Sequence, residues 1–479
     1  MPQDSWSPDE SKQELDPLES LLSEWSDPEV EEEEFRSDFF QGFEGRRSKA
    51  ALALMMIWGT TIALHLVSWG FWLVVSFTGL LAVHTLRVYL APASHNPKPL
   101  GDADLANAPT VSLLVSAKNE EAVIGQLIEN LCTLDYPVEK YEVWAIDDAS
   151  SDRTAQILDD LAPQYPQLRV LHRPAGAGGG KSGALNQVLP MTQSDILAVF
   201  DADAKVSPDL LRRVIPFFDD ENMGAVQVRK AVANPGENFW TKGQQAEMAL
   251  DSFLQQQRVA IGGIGELRGN GQFVRRKALE SCGCWNEETI TDDLDLTIRL
   301  HLDRWDVGFC LSPWVNEEGV TKPVSLWHQR SRWAEGGYQR YLDYWRLLIG
   351  NRLGFTKAVD LMVFVVMQYL LPTAAIPDFI MAMSRHHFPL LSPLSGFMFT
   401  MSSVGMGLGL YQIRKEKGEI TGIKDIFVIF GQTLRGMVYM THWLLVMPIT
   451  TGRMSIRPKR LKWVKTAHQG SQEESLEAS

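Results

Sequence analysis

Cysteine is scarce in this 479-residue chain: Cys132, Cys282, Cys284 and Cys310 form one Cys-x-Cys and no Cys-x-x-Cys, with no set of histidines beside them. That excludes a disulfide framework and argues against zinc, leaving reduced, mostly buried thiols. The ten histidines offer no ligand spacing either, and His386-His387 reads as a short loop. No basic stretch followed by a short apolar run opens the chain, so no secretory signal is read and the acidic amino-terminal region is expected in the cytoplasm. Outside that region acidic and basic residues nearly balance. The net charge of −14 is concentrated in residues 1–45, which hold fifteen Asp or Glu, including Glu31-Glu32-Glu33-Glu34, against two basic residues. Residues 1–45 are therefore expected to form a disordered, solvated acidic tail, and no acidic protein surface is inferred.

What is plentiful is apolar sequence. Hydrophobic residues make up 45% of the chain, with 15 Trp and 17 Met, which is compatible with several membrane passes beside one catalytic domain. Two apolar runs, 50–67 and 71–90, have about spanning length and follow Arg46, Arg47 and Lys49. Residues 46–91 are thus expected to be a transmembrane hairpin, with a buried core hairpin as the alternative, and 92–109 a linker. Beyond Lys357, apolar stretches recur at about 359–383, 394–412 and 424–450, defining a carboxyl-terminal transmembrane region at 357–452. Arg414-Lys415-Glu416-Lys417 interrupts it on the side expected inside. Gln432 and Arg435 are costly at mid-bilayer, so the last stretch need not span. A basic then polar tail, 453–479, also favours an inside terminus, and four passes are expected, with five or six open.

Between these regions, residues 110–320 alternate short apolar runs with helical patterns, predicting strands at Val111 to Ser116, Tyr141 to Ile146, Arg169 to Leu171, Asp195 to Phe200 and Ala225 to Val228. The fold class expected is α/β with a mainly parallel sheet, plus transmembrane and interfacial helices. Ligands in such sheets sit off the carboxyl ends of strands, where Asp147-Asp148 and Asp201-Ala202-Asp203 both fall. Two carboxylates two residues apart, such as Asp201 and Asp203, can hold a divalent ion against a diphosphate, although Asp pairs in that position also simply cap helices.

Lys181, in Gly178-Gly179-Gly180-Lys181-Ser182, begins a helix where backbone amides and an ammonium favour anions. Ala175 to Ser182 also matches a relaxed phosphate-loop pattern, with Ala175 where the strict form has Gly, so a membrane ATPase or transporter is an alternative of another class. Gly269-Asn270-Gly271-Gln272 permits close backbone approach by an acceptor. Thr291-Asp292-Asp293 places carboxylates at a helix start, and Gln329, Arg332 and Trp333 share one helical face. Residues 321–356 interleave Trp327, Trp333, Tyr338, Tyr341, Tyr344 and Trp345 with arginines, as expected of helices lying at a membrane surface.

In this order, Asp147-Asp148, Asp201-Ala202-Asp203, Thr291-Asp292-Asp293 and Gln329-Arg330-Ser331-Arg332-Trp333, flanked by membrane segments, resemble the membrane-embedded family 2 glycosyltransferases. The likeness covers roughly residues 50–468. It implies a glycosyltransferase-A fold, a Rossmann-like domain at 110–320 on the cytoplasmic side of a multi-pass protein, and an inverting UDP-sugar-dependent enzyme. The family's roles carry over to Asp147 and Asp148 for the nucleoside, Asp201 and Asp203 for Mg²⁺ or Mn²⁺, and Lys181, Gln329, Arg332 and Trp333 for the donor. Asp293 would be the catalytic base, and Gly269, Asn270, Gly271 and Gln272 would lie on the acceptor side. Relatives commonly carry Glu where this chain has Asp292. The short chain, its acidic first region and Trp463-Val464-Lys465-Thr466 resemble members that glycosylate lipids, implying UDP-glucose as donor and diacylglycerol as acceptor, with no nucleic-acid partner. A processive β-polysaccharide synthase is the alternative within the family.

Overall fold

The computed structural model describes residues 45–92, 96–350 and 352–456. The acidic tail, apart from its last residue, and the tail beyond residue 456 lie outside the described residues. Helices α1 (Arg46–Leu66) and α2 (Gly70–Tyr89) realise the expected hairpin. Their turn is tight enough that a Cβ on Gly70 would meet the Leu64 carbonyl oxygen at 2.0 Å. Large apolar side chains such as Leu52, Met55, Trp72, Leu80 and Val83 face outward along both helices.

The sheet has seven strands in the order β3-β2-β1-β4-β6-β5-β7. Strands β1 (Val111–Ala117), β2 (Tyr141–Asp147), β3 (Leu168–His172) and β4 (Ile196–Phe200) are mutually parallel. Strand β5 (Met223–Val232) runs parallel to β7 (Asp306–Glu317), and β6 (Gln272–Arg275) is antiparallel to both β4 and β5. The five expected strands are present; β6 and β7 are additions. β6 is only four residues long after a glycine-rich turn, and β7 is interrupted by Pro313, so neither carries a clean periodic signal.

Continuous apolar runs in β1 and β4 follow from burial on both faces. Leu113, Val115, Ala198 and Phe200 meet α3 (Ile124–Cys132), α4 (Thr154–Leu161) and the short helix Leu210–Val214. Leu114, Leu197 and Val199 meet α5 (Gly180–Val188), the short helix Arg276–Ser281 and α6 (Asp292–Leu302). Strand order reverses at β1, flanked by β2 and β4, and the crevice at its carboxyl end is where a ligand belongs.

Helix α7 (Pro323–Ile349) departs from the expected surface helices. It is one helix, and Arg330, Tyr338, Arg340 and Tyr344 along it are buried. Its aromatic and basic residues form a seam between the sheet domain and the membrane helices, because the arginines find acids there: Arg330 pairs with Glu247 at 2.5 Å and Arg340 with Glu266 at 3.0 Å. Arg46, opening α1, reaches Asp343 of α7 at 2.5 Å.

After α7 come α8, a single 31-residue helix over Phe355–Arg385 with a π-helical turn at Val366–Leu370, then α9 (Ser392–Glu416), α10 (Ile423–Met440) and α11 (Trp443–Ile456). Among the described residues, three helices are long and apolar enough to cross a membrane: α1, α2 and α8. The expectation was four. Ser and Gly dilute α9, Lys424, Asp425 and Arg435 interrupt α10, and α11 at 14 residues is too short for a bilayer core.

Close packing at α7 depends on glycine: a Cβ on Gly336 would lie 2.1 Å from Thr291 Oγ1, the residue that opens α6. Gly336→Ala is therefore expected to cost about 1–3 kcal/mol of overpacking, more than the roughly 1 kcal/mol gained in helix propensity. Thermal unfolding should show a lowered midpoint, partly recovered by adding Thr291→Ala. An unchanged midpoint in Gly336→Ala would contradict this packing.

Candidate functional site

A cavity of about 780 Å³ opens at the carboxyl ends of β1 and β4, lined by Asp148, Lys181, Asp201, Asp203, Gly269, Asp292, Asp293, Gln329, Arg332 and Trp333. That volume is in the range of small-molecule sites. The residues come from six separate parts of the chain. Asp147, paired with Asp148 in the sequence reading, is not on the wall. It is buried, accepts a hydrogen bond from the Ser150 amide at 3.1 Å and stands 3.1 Å from His172 Nδ1, so it builds the turn that presents Asp148. The neighbouring Asp147 and Asp159 carboxylates hold His172 above its ordinary value.

Asp148 is ion-paired with Arg173, which also donates to the Gly178 carbonyl at 2.6 Å. Arg173 thereby ties the Asp148 end of the crevice to the glycine-rich turn. The sequence reading missed it, because it stands alone just after β3. Within that turn Lys181 Nζ lies 2.6 Å from Asp201 Oδ1. Burial opposes the Lys181 charge, but Asp201 and Asp292 outweigh it and raise the ammonium above its usual range.

The four residues expected on the acceptor side separate. Gly269 lines the cavity with φ at 82°, a left-handed backbone that favours glycine, and a Cβ there would stand in ordinary contact with Asp293 Oδ2 at 3.4 Å. Asn270 is buried and accepts from the Asp201 amide at 3.3 Å. Gly271 packs on Val315, and Gln272 is a buried residue of β6. These three support the wall from behind.

Asp292 and Asp293 occupy the first turn of α6. Burial, then the Asp292 carboxylate beside it, pushes Asp293 up to about 6 despite the opposing Lys181 and Lys230. Arg332 on α7 is lowered by burial, with Asp201, Asp293 and Asp292 pulling the other way. Trp333 is held between two cations: the Arg330 guanidinium at 4.1 Å and Lys230 Nζ at 5.6 Å from its ring centre. Lys230 also pairs with Glu317 at 2.8 Å. An Arg229-Lys230 pair ending a buried strand was the signal available for Lys230 in the sequence.

Among the described residues, no three His, Cys, Asp or Glu side chains converge as a closed metal cage. Asp201 and Asp203 nevertheless fit a hard divalent ion such as Mg²⁺ or Mn²⁺, which typically takes one or two carboxylates and completes its shell with phosphate and water. The ammonium of Lys181 against Asp201 shows that a cation is favoured at this position. Asp203 accepts from the Glu318 amide at 2.9 Å, which fixes its orientation. At the opposite end the wall passes to Phe364, Gln368 and Tyr369 of α8 and to Trp443 and Met447 of α11. Nothing in their spacing singles these out in the sequence.

Residues 112–283 match the family model described as Glycosyl transferase family 2. The chain is 57% identical to the beta-monoglucosyldiacylglycerol synthase of Synechocystis sp. over 478 residues, 100% of this chain and 99% of that one. It is 59% identical to the beta-monoglucosyldiacylglycerol synthase of Trichormus variabilis over 474 residues, 99% of this chain and 100% of that one. Among solved structures it is similar to the mannosyltransferase PcManGT from Pyrobaculum calidifontis in complex with GDP-Man and Mn2+, at 20% identity and a TM-score of 0.48, over 84% of this chain and 99% of that one.

The electrostatics can be read directly. Infrared titration of the carboxyl groups should show one near pH 6 that Asp293→Asn removes and that Asp292→Asn moves back toward the ordinary carboxylate range. If Asp292→Asn leaves that titration in place, repulsion between the two carboxylates is not one of its causes.

Proposed function

The chain belongs to glycosyl transferase family 2, with the mainly parallel glycosyltransferase-A type sheet described above, and we propose that it moves glucose from UDP-glucose to the hydroxyl of 1,2-diacylglycerol with inversion, forming β-monoglucosyldiacylglycerol. One observation carries this reading: a single cavity joins the acidic crevice of the sheet to the walls of helices α8 and α11. Near full-length identity to relatives bearing that name supports it. Family membership also removes the phosphate-loop alternative, and Lys181 is directed to a carboxylate.

Asp148, oriented by Arg173, receives the nucleoside. Asp201 and Asp203 hold the divalent ion, whose chemistry when bound is Lewis-acid stabilisation of the departing diphosphate. Arg332 and Lys181 supply positive charge to the same diphosphate, and Trp333, with Arg330 and Lys230 against its ring, lines the cavity beside donor or acceptor. Asp293 takes the proton of the acceptor hydroxyl as its oxygen bonds to the anomeric carbon. The bond from that carbon to the diphosphate oxygen breaks on the opposite side, and UDP leaves with the electron pair. Elevation of Asp293 to about 6 makes it a stronger base than an ordinary carboxylate while keeping it ionised at neutral pH.

We infer that the catalytic domain lies on the cytoplasmic side. Arg46, at the start of α1, binds Asp343 of α7, and the carbonyls of Val88 and Tyr89, at the end of α2, accept from Gln257. Both ends of the hairpin thus meet the catalytic side, where the basic residues Arg46, Arg47 and Lys49 are expected to remain.

Purified protein supplied with UDP-glucose and diacylglycerol should yield a lipid carrying one sugar. A long water-insoluble glycan would instead favour the processive reading. Because Asp293 must be ionised to accept a proton, kcat/KM should fall as pH drops through about 6, with the limb absent in Asp293→Asn. That substitution should cost about 10²- to 10⁴-fold in rate while UDP binding persists. Full transfer by Asp293→Asn would contradict the assignment.

A further inference from the structure

The most apolar of the spanning candidates, α8, carries a polar side chain at the cavity wall. Gln368 lies within the π-helical turn Val366–Leu370, and it lines the cavity together with Phe364 and Tyr369 of the same helix. Widened turns of this kind break the regular facing of a helix and recur at functional sites. Tyr369 is fixed by edge contacts with Tyr338 and Tyr341, at 5.0 and 5.3 Å between ring centres. Gln368 is half-buried, and its carboxamide has no hydrogen-bond partner among the described residues. Half-exposed to the cavity, that carboxamide keeps its hydrogen-bonding capacity for what enters, and a polar side chain inside an apolar spanning helix marks a functional position.

Its surroundings select the ligand chemistry. Phe364, Met447 and the ring of Trp443 are apolar, and the Trp443 indole N–H is already committed to Glu247 at 2.8 Å. A ligand here must therefore be apolar on most of its surface with one or two hydrogen-bonding groups, and it must reach Asp293 with a hydroxyl through the same cavity. A glycerol carrying two acyl esters meets all three requirements. A carboxamide offers N–H donors, and an ester carbonyl is an acceptor.

We propose that Gln368 is an acceptor-recognition residue that donates to an ester carbonyl of the diacylglycerol and so aligns its free hydroxyl on Asp293. This rests on the lipid-acceptor reading above and deepens it by naming which part of the lipid is read. The acyl esters, beyond chain length or the hydroxyl, then distinguish the acceptor from other apolar alcohols.

The test compares 1,2-diacylglycerol with 1,2-dialkylglycerol of matched chains, which keeps the hydroxyl and lacks both carbonyls, in detergent micelles at fixed mole fraction. The native protein should favour the diacyl lipid by about tenfold in kcat/KM, the scale of one hydrogen bond made in a desolvated site. Gln368→Leu and the unbranched Gln368→Met should lose that preference, mainly through KM for the lipid, with KM for UDP-glucose unchanged. Gln368→Asn should restore part of it. Equal use of both lipids by the native protein, or a preference that survives in Gln368→Leu and Gln368→Met, would overturn the inference and leave the proposed function standing. Transfer to neither lipid would overturn the proposed function, and this inference with it.

Discussion

Crowding of negative charge is the constraint on which the site depends. Asp201, Asp203, Asp292 and Asp293 share one cavity wall, and two like charges a few ångströms apart repel by about 4 kcal/mol at the effective dielectric of a protein site. Lys181, Lys230 and Arg332 offset part of that repulsion from the Gly-rich turn, from β5 and from α7. Burial first, and the residual repulsion from Asp292 second, push the Asp293 carboxyl up to about 6. Electrostatic strain, a cation preference and a tuned base are thus one property of one cavity.

Helix α7 converts that property into a location. It contributes Gln329, Arg332 and Trp333 to the cavity, while its buried arginines lock it to Glu247 and Glu266. Through Asp343 it grips the first residue of α1, and through Gly336 and Gly337 it lets Thr291 and Tyr369 approach its backbone. Arg332, helix α6 with Asp293, and helix α8 are therefore registered against one element.

The parallel half of the sheet was legible in the sequence because β1 and β4 are buried on both faces and read as unbroken apolar runs. The acidic motifs were legible because strand ends and helix starts place carboxylates predictably. Other features were hidden for physical reasons. β6 is too short for a periodic signal, and the alternating Arg and aromatic residues of α7 encode a buried ion-paired seam as readily as a membrane surface. Asp147 and Asp148 are adjacent in the chain, but only side-chain direction separates the turn-builder from the wall. Arg173 and Lys230 pair with acids on other elements, and Gln368 has no partner among the described residues, so only the folded arrangement reveals them.

On the proposed function, the acidic crevice is complete only when a divalent ion and a nucleoside diphosphate fill it together. Manganese binding followed by electron paramagnetic resonance, with and without UDP, tests this most directly. The native protein should bind Mn²⁺ at least tenfold more tightly when UDP is present, as expected when two carboxylates leave the rest of the ion's shell to phosphate and water. Asp201→Asn and Asp203→Asn should abolish that enhancement. Equal Mn²⁺ affinity without UDP, or an undiminished enhancement in both variants, would contradict it.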